Sequence, residues 1–171
     1  NDDGNATTFR PYPEDLLIVN LSVWESREAL RAFVYKGAHI DYLRQRASWF
    51  SRLDQPFHAM WWVPDGHRPT LGEARSRLDH LRSHGRTPYA FSWTDDLEPV
   101  ILQRNDSGLS VSVDRAGERV AQGALHVLDE HTGELVDVRT GTEYRGQGLA
   151  RAIGYELVGI ARDRGLSRVS A

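Results

Sequence analysis

Hydrophobic and polar positions change period several times along the chain, and each change marks a new element. Residues 1–13 are polar and turn-rich and end in Pro11-Tyr12-Pro13, which suits a loop or the end of an edge strand. The apolar run Leu16 to Trp24 predicts a buried strand. Ser26 stands at a helix N-cap position, with Glu28 in the first turn where the dipole favours an acid. Leu30, Phe33, Val34, Ile40, Leu43, Ala47 and Phe50 then trace the apolar face of one long helix. Phe57 to Val63 predicts the next strand, stopped by Pro64-Asp65-Gly66. Thr70 and Glu73 form a capping box before a helix whose Leu71, Ala74, Leu78 and Leu81 share a face, and Gly85 ends it. Pro88 to Thr94 closes this region as a short strand.

Beyond Thr94-Asp95-Asp96-Leu97-Glu98, which reads as a junction, the helical period gives way to alternation. Val100 to Gln103, Leu109 to Val113 and Arg119 to Leu128 predict three strands, with hairpin turns at 105–108 and 114–117. A turn at 129–133 leads into Glu134 to Thr140, a further strand. Leu149 to Arg164 returns to helical spacing, with Ile153, Leu157, Ile160 and Ala161 on one face. The expected class is α+β, with helices on one face of a sheet, in two parts spanning 1–95 and 99–171.

The chain has 171 residues, of which 40% are hydrophobic, enough to bury one good core or two small ones. A net charge of −3 gives no electrostatic case for nucleic acid. Lys36 is the single lysine among 21 basic residues, the arginine bias expected of a GC-rich bacterial genome. With no cysteine there is neither a disulfide nor a thiolate nucleophile. No apolar run approaches the ~20 residues needed to span a bilayer, and the N-terminus does not read as a signal peptide. A cytoplasmic protein without membrane contact is the expectation. The chain begins at Asn1 and its one methionine is Met60, which suggests a fragment or a processed product.

The strongest chemical signal is the run Tyr144-Arg145-Gly146-Gln147-Gly148-Leu149-Ala150 between the last long strand and the last helix. Two glycines let backbone N–H groups converge without an intervening Cβ, and the helix N-terminus behind them favours an anion. A Walker phosphate loop is excluded because no Gly-Lys-Ser/Thr follows. A dinucleotide fingerprint is disfavoured because it needs a third glycine and a ribose-binding acid. The string Arg-Gly-Gln-Gly-Leu-Ala resembles the signature of the GNAT acyl-CoA N-acyltransferases, and the frame of Val138, Thr140, Tyr144 and Ala161-Arg162-Asp163-Arg164-Gly165 resembles the family too. Thr142 departs from the proline often found there.

That resemblance, carried by about residues 109–171, implies a partial GNAT-type mixed sheet with a helix. It implies that Arg145, Gly146, Gln147, Gly148, Leu149 and Ala150 bind the pyrophosphate of acetyl-CoA, and that pantetheine lies along Val138, Arg139 and Thr140. The backbone near Thr140 becomes the implied oxyanion donor for acetyl transfer to an amine acceptor. Of the candidate bases, Glu134 is expected on the strand face of Val136, Val138 and Thr140, whereas Asp137, the runner-up, faces the other way with Arg139. No room is expected between Trp93 and Leu109 for the helices that shape a GNAT acceptor site, and the general acid is not assignable.

The first half carries its own resemblance. Leu21-Ser-Val-Trp-Glu-Ser26, Ala32-Phe-Val-Tyr35, His39, Arg46, Trp49-Phe50, Trp61-Trp62-Val-Pro64, Gly66-His-Arg-Pro69 and Thr70 with Glu73 resemble an uncharacterised bacterial domain family. That family is related to the dimeric α/β-barrel monooxygenases of antibiotic biosynthesis. The resemblance implies a ferredoxin-like, dimeric α/β-barrel-type domain whose first strand and helix precede Asn1, and a homodimer. Trp24, Trp49, Trp61, Trp62 and Trp93 all lie in this half. They support an alternative function, a small-molecule-binding or monooxygenase-like site around Trp24, His39, Trp49 and Trp61, against the plainer reading of aromatic core and dimer contacts.

Overall fold

The computed structural model describes residues 19–36, 40, 41, 44, 45, 48, 53–95 and 97–171. The chain divides into two units, Asn1–Asp54 and Gln55–Ala171. In the first unit Ser26 takes an extended conformation and its hydroxyl accepts the Ala29 N–H at 3.0 Å, which starts α1 (Arg27–Tyr35) as the sequence predicts. Lys36 leaves helical dihedrals at φ −123°, ψ 150°, so the single long helix expected here is interrupted. Gly37 follows, and glycine is the poorest helix former after proline. Helical conformation recurs at Ile40, Asp41, Arg44, Gln45 and Ser48, whereas Leu43, Ala47 and Phe50 of the expected apolar face lie outside the described residues. Val19 to Trp24 form no strand, and Leu16 to Ile18 of that expectation are not described.

The second unit is built on a five-stranded sheet in sequential order: β1 (Gln103–Arg104), β2 (Ser110–Arg115), β3 (Glu118–Val127), β4 (Thr132–Thr140) and β5 (Arg168–Ser170). Neighbours are antiparallel up to β4, and β5 runs parallel to β4. A parallel neighbour needs a crossover, and α3 (Leu149–Asp163) supplies it. The β2–β3 hairpin turns through Ala116 at φ 51° and Gly117 at φ 80°, two positive angles that match the right-handed twist of the strands. Before β2, the Asn105 side-chain oxygen accepts both the Leu109 and Ser110 N–H groups at 3.0 Å.

The core lies between α3 and one face of this sheet. Leu149, Ile153, Leu157, Ile160 and Ala161 of α3 pack with Val111, Val113, Ala121 and Leu125, all buried. Each large aliphatic side chain so buried contributes about 1.5–3 kcal/mol. The helix comes so close that a Cβ on Gly123 would stand 2.8 Å from Ile153 Cγ2.

Helix α2 (Leu71–His84) begins at Thr70, whose hydroxyl accepts the Glu73 N–H at 3.1 Å. The expected capping box is half made, because the Glu73 carboxylate turns away to Trp61 and His67. The buried residues of α2 are Arg77, His80 and Leu81, while Leu71, Ala74 and Leu78 are only half-buried. The expected strands Phe57 to Val63 and Pro88 to Thr94 appear only as an isolated Met60–Phe91 bridge, and Trp62 bridges Ile101. Pro56, Pro64, Pro88 and Pro99 remove backbone donors from these segments and keep the pairing short. Among the described residues no helix is long and apolar enough to cross a membrane.

Candidate functional site

Strand β4 delivers the chain to the turn. Past Thr140, Gly141 N–H bonds the Val120 carbonyl at 2.8 Å, and Thr142–Tyr144 make one 3-10 turn. Arg145 is extended, Gly146 sits at φ 78°, and Gly148, left-handed at φ 79° and ψ 7°, caps α3. Both glycine positions would strain an L side chain. No side chain caps this helix and its first turn carries no acid, so the leading N–H groups keep their partial positive charge. Helical bonding starts with Ala152 N–H to the Gly148 carbonyl at 2.9 Å. Arg145, Gly146, Gln147, Gly148 and Ala150 are exposed, whereas Leu149 is buried and anchors the turn to the core. A Cβ built on Gly146 meets nothing within 4 Å, so the cradle is open.

The candidate bases do not lie as the alternation predicted. Asp137 takes φ 54°, and the β3–β4 register shifts there: Val136 pairs with Ala124 but Arg139 pairs with Gln122. One extra residue on β4 makes a bulge, and a bulge reverses the faces of everything beyond it. Glu134 and Val136 therefore share the face of Gln122 and Ala124, and Arg139 joins them. Thr140, paired with Ala121, lies on the opposite face with the α3 core, and Val138 Cγ2 stands 3.1 Å from a Cβ built on Gly123. Glu134 and Thr140 are thus separated by the sheet, and Arg139 is on the side of Glu134. The Thr140 hydroxyl is buried without a hydrogen-bond partner. Strand β5 pairs only with residues 132–134, so among the described residues no strand pairs the outer edge of β4 from Leu135 to Thr140.

Beside this lies a buried ionic network that sequence reasoning missed. Glu156 of α3, 4% exposed, accepts from Arg77 Nη2 at 2.6 Å and from Arg104 Nε at 2.8 Å. Arg77 also donates to the Tyr89 carbonyl at 2.7 Å, lies 3.8 Å over the Tyr89 ring, and reaches Glu73 at 3.5 Å. Glu73 in turn accepts from Trp61 Nε1 at 3.1 Å and holds His67 Nε2 at 2.9 Å. Burial opposes ionisation of Glu73, but the His67 hydrogen bond and the charges of Arg77, His67 and Arg104 outweigh it and hold its pKa below the ordinary value. Burial and the neighbouring His84, Arg77 and Arg151 push the His80 pKa down to about 4, so its imidazole is neutral at pH 7. Glu156 on an otherwise apolar stripe was a visible signal, but its partner Arg77 lies 79 positions away and no local pattern links them. His39 and Trp49 lie outside the described residues; Trp24 is 36% exposed and packs its ring 4.9 Å from Phe33.

None of the curated proteins matches this chain. Among solved structures, a Mycobacterium tuberculosis protein in complex with CoA and NLQ shares 34% identity over 36% of this chain and 39% of its own, at a TM-score of 0.35. A Trypanosoma brucei acetyltransferase shares 24% identity over 36% of this chain and 50% of its own, at a TM-score of 0.33. A protein of unknown function from meticillin-resistant Staphylococcus aureus shares 14% over 36% of this chain and 49% of its own, also at 0.33. The matched part spans half or less of each of these chains. Two family models match more decisively. The model of a domain of unknown function, DUF3291, covers residues 1–105, and that of the GNAT acetyltransferases covers 78–171, starting inside α2 and well before the residue 109 expected from the sequence. The chain therefore belongs to the DUF3291 family through its first 105 residues and to the GNAT acetyltransferase family from residue 78 onward.

Proposed function

We propose that the second unit binds acetyl-CoA at the turn Arg145 to Ala150 and transfers the acetyl group to an amine. The observation that carries this reading is the uncapped N-terminus of α3 behind two left-handed glycines, at the end of a strand whose outer edge is open. The residues present fit the donor. Leading N–H groups and an open Gly146 cradle suit a pyrophosphate. The free N–H and C=O groups of β4 suit an amide-bearing arm laid along that edge. Acetyl-CoA would supply an activated thioester carbonyl.

In the transfer the neutral amine forms a C–N bond to the thioester carbon, the C–S bond breaks, and CoA leaves as a thiolate that takes up the proton the amine loses. The chain's own part is to orient the donor, polarise the carbonyl and accept the amine proton. Strand amides near Thr140 suit the oxyanion. Glu134 is half-buried on the sheet face away from α3, and Asp137 is exposed at the bulge, so Asp137 stands nearer to the open part of β4 and becomes the preferred base, with Glu134 second. A homodimer formed through a barrel-type N-terminal part, and a cytoplasmic setting, complete the reading. Among the described residues the monooxygenase-like alternative gains no specific observation: the Trp61 indole is committed to Glu73, and His39 and Trp49 lie outside them. Titration calorimetry with acetyl-CoA tests the proposal: the parent chain binds and an Arg145→Ala/Gly148→Trp variant does not. Absence of heat from a folded parent refutes it.

A further inference from the structure

Pro88 packs on the glycine that caps α3. A Cβ placed on Gly148 would stand 3.3 Å from Pro88 Cδ and 3.6 Å from its Cγ, so the ring forms the floor under the turn. The segment carrying Pro88 is pinned on both sides. Thr87 Oγ1 accepts the Tyr89 and Ala90 N–H groups at 3.2 and 3.4 Å, which occupies its two lone pairs. Its proton is then directed to His80 Nε2, 2.8 Å away. The Thr87 N–H bonds the Ala90 carbonyl at 2.9 Å, and Arg77 Nη1 holds the Tyr89 carbonyl. Arg77 is itself fixed by Glu156 of α3, and Tyr155 of α3 stands edge-on to His80 at 4.3 Å. Arg77 and His80 of α2 and residues 87–90 thus form a clamp that meets α3 twice, once at its middle and once at its cap.

We propose that Pro88, held by Thr87, His80 and Arg77, is a positioning residue for the turn Gly146 to Gly148. Arg77 and the adjoining segment 78–105, which both families match, are then the framework of the acyl-donor site, and residues of the DUF3291 stretch serve the acetyltransferase. The inference rests on the donor reading above for its functional consequence, and on the packing alone for its structural one. The ring packs against the backbone of the cap residue and makes no hydrogen bond to it, so the leading N–H groups stay available. Removing it leaves the turn in its binding-competent form for a smaller fraction of the time, and apparent affinity falls by that fraction.

The test compares Pro88→Ala, Thr87→Val and Thr87→Ser with the parent chain. Amide exchange at Ala152, whose N–H bonds Gly148, reports the cap; exchange at Leu125, whose N–H bonds the Leu109 carbonyl at 2.8 Å, reports the fold as a whole. Pro88→Ala and Thr87→Val should accelerate Ala152 about five- to tenfold relative to Leu125 and raise the acetyl-CoA dissociation constant by a similar factor, while Thr87→Ser restores both. In turnover, KM for acetyl-CoA should rise with kcat within about twofold of the parent. Equal acceleration of Ala152 and Leu125, or none, overturns the positioning role. A parent chain that does not bind acetyl-CoA removes the donor reading, while the exchange comparison still decides the clamp.

Discussion

Replacing Glu156 by leucine should expose how much of the second unit depends on one carboxylate. Its side chain is 4% exposed and is contacted by two guanidinium groups. Arg104, 35% exposed, can turn to water when the carboxylate goes; Arg77, 3% exposed, cannot. Breaking a buried pair on one side costs about 3–5 kcal/mol, because a charge is left uncompensated. Glu73 at 3.5 Å and the Tyr89 carbonyl at 2.7 Å remain to Arg77, which places the expected loss near the lower end, about 3 kcal/mol. The double variant Arg77→Met/Glu156→Leu removes both charges, and Glu73 keeps Trp61 and His67, so it should be more stable than Glu156→Leu alone. Urea unfolding of the parent, the two single variants and the double variant completes the cycle, with a coupling of roughly 1.5–3 kcal/mol expected. A loss below about 1 kcal/mol in Glu156→Leu, or strict additivity in the double variant, would refute the account of this network.

Gly123→Ala should destabilise by about 1–3 kcal/mol, read in the same unfolding assay, because the new methyl meets Ile153 at 2.8 Å, Val138 at 3.1 Å and Leu157 at 3.2 Å; a neutral result would mean that α3 can move off the sheet freely. Thr140→Val buries a methyl where a hydroxyl has no partner, so it should stabilise the protein by roughly 0.5–1 kcal/mol in the same unfolding assay, and a loss of stability would mean that the hydroxyl is satisfied after all. The His80 pKa falls from 6.5 unfolded to about 4 folded, so the unfolded chain binds a proton first and stability drops as pH falls from 6.5 towards about 4, the loss being complete below that. His58, lowered by burial against the opposing charge of Asp95, adds to the same limb, so the diagnostic is the difference between parent and His80→Gln in urea midpoints at pH 7 and pH 5. Identical pH slopes would show that His80 is not buried as a neutral base.

Local chemistry was legible wherever a few neighbouring residues decide the outcome. Ser26 and Thr70 cap their helices because a hydroxyl reaches N–H groups three residues on, and that depends on the sequence alone. The left-handed glycines of the 144–150 turn follow from the absence of a Cβ, and the α3 stripe of Ile153, Leu157 and Ile160 follows from the helical period. Three further features needed the tertiary structure. The bulge at Asp137 reversed the faces of Val138, Arg139 and Thr140, because alternation holds only while both strands advance one residue at a time. The α2 face buries Arg77 and His80 in place of Leu71, Ala74 and Leu78, because its surroundings are Glu156, Tyr89 and Thr87 and not an apolar surface. The link between the two family stretches is made by contacts 12 to 79 positions apart, Arg77 with Tyr89 and Glu156, and pairing over such separations depends on how the chain is folded back, which no local period encodes.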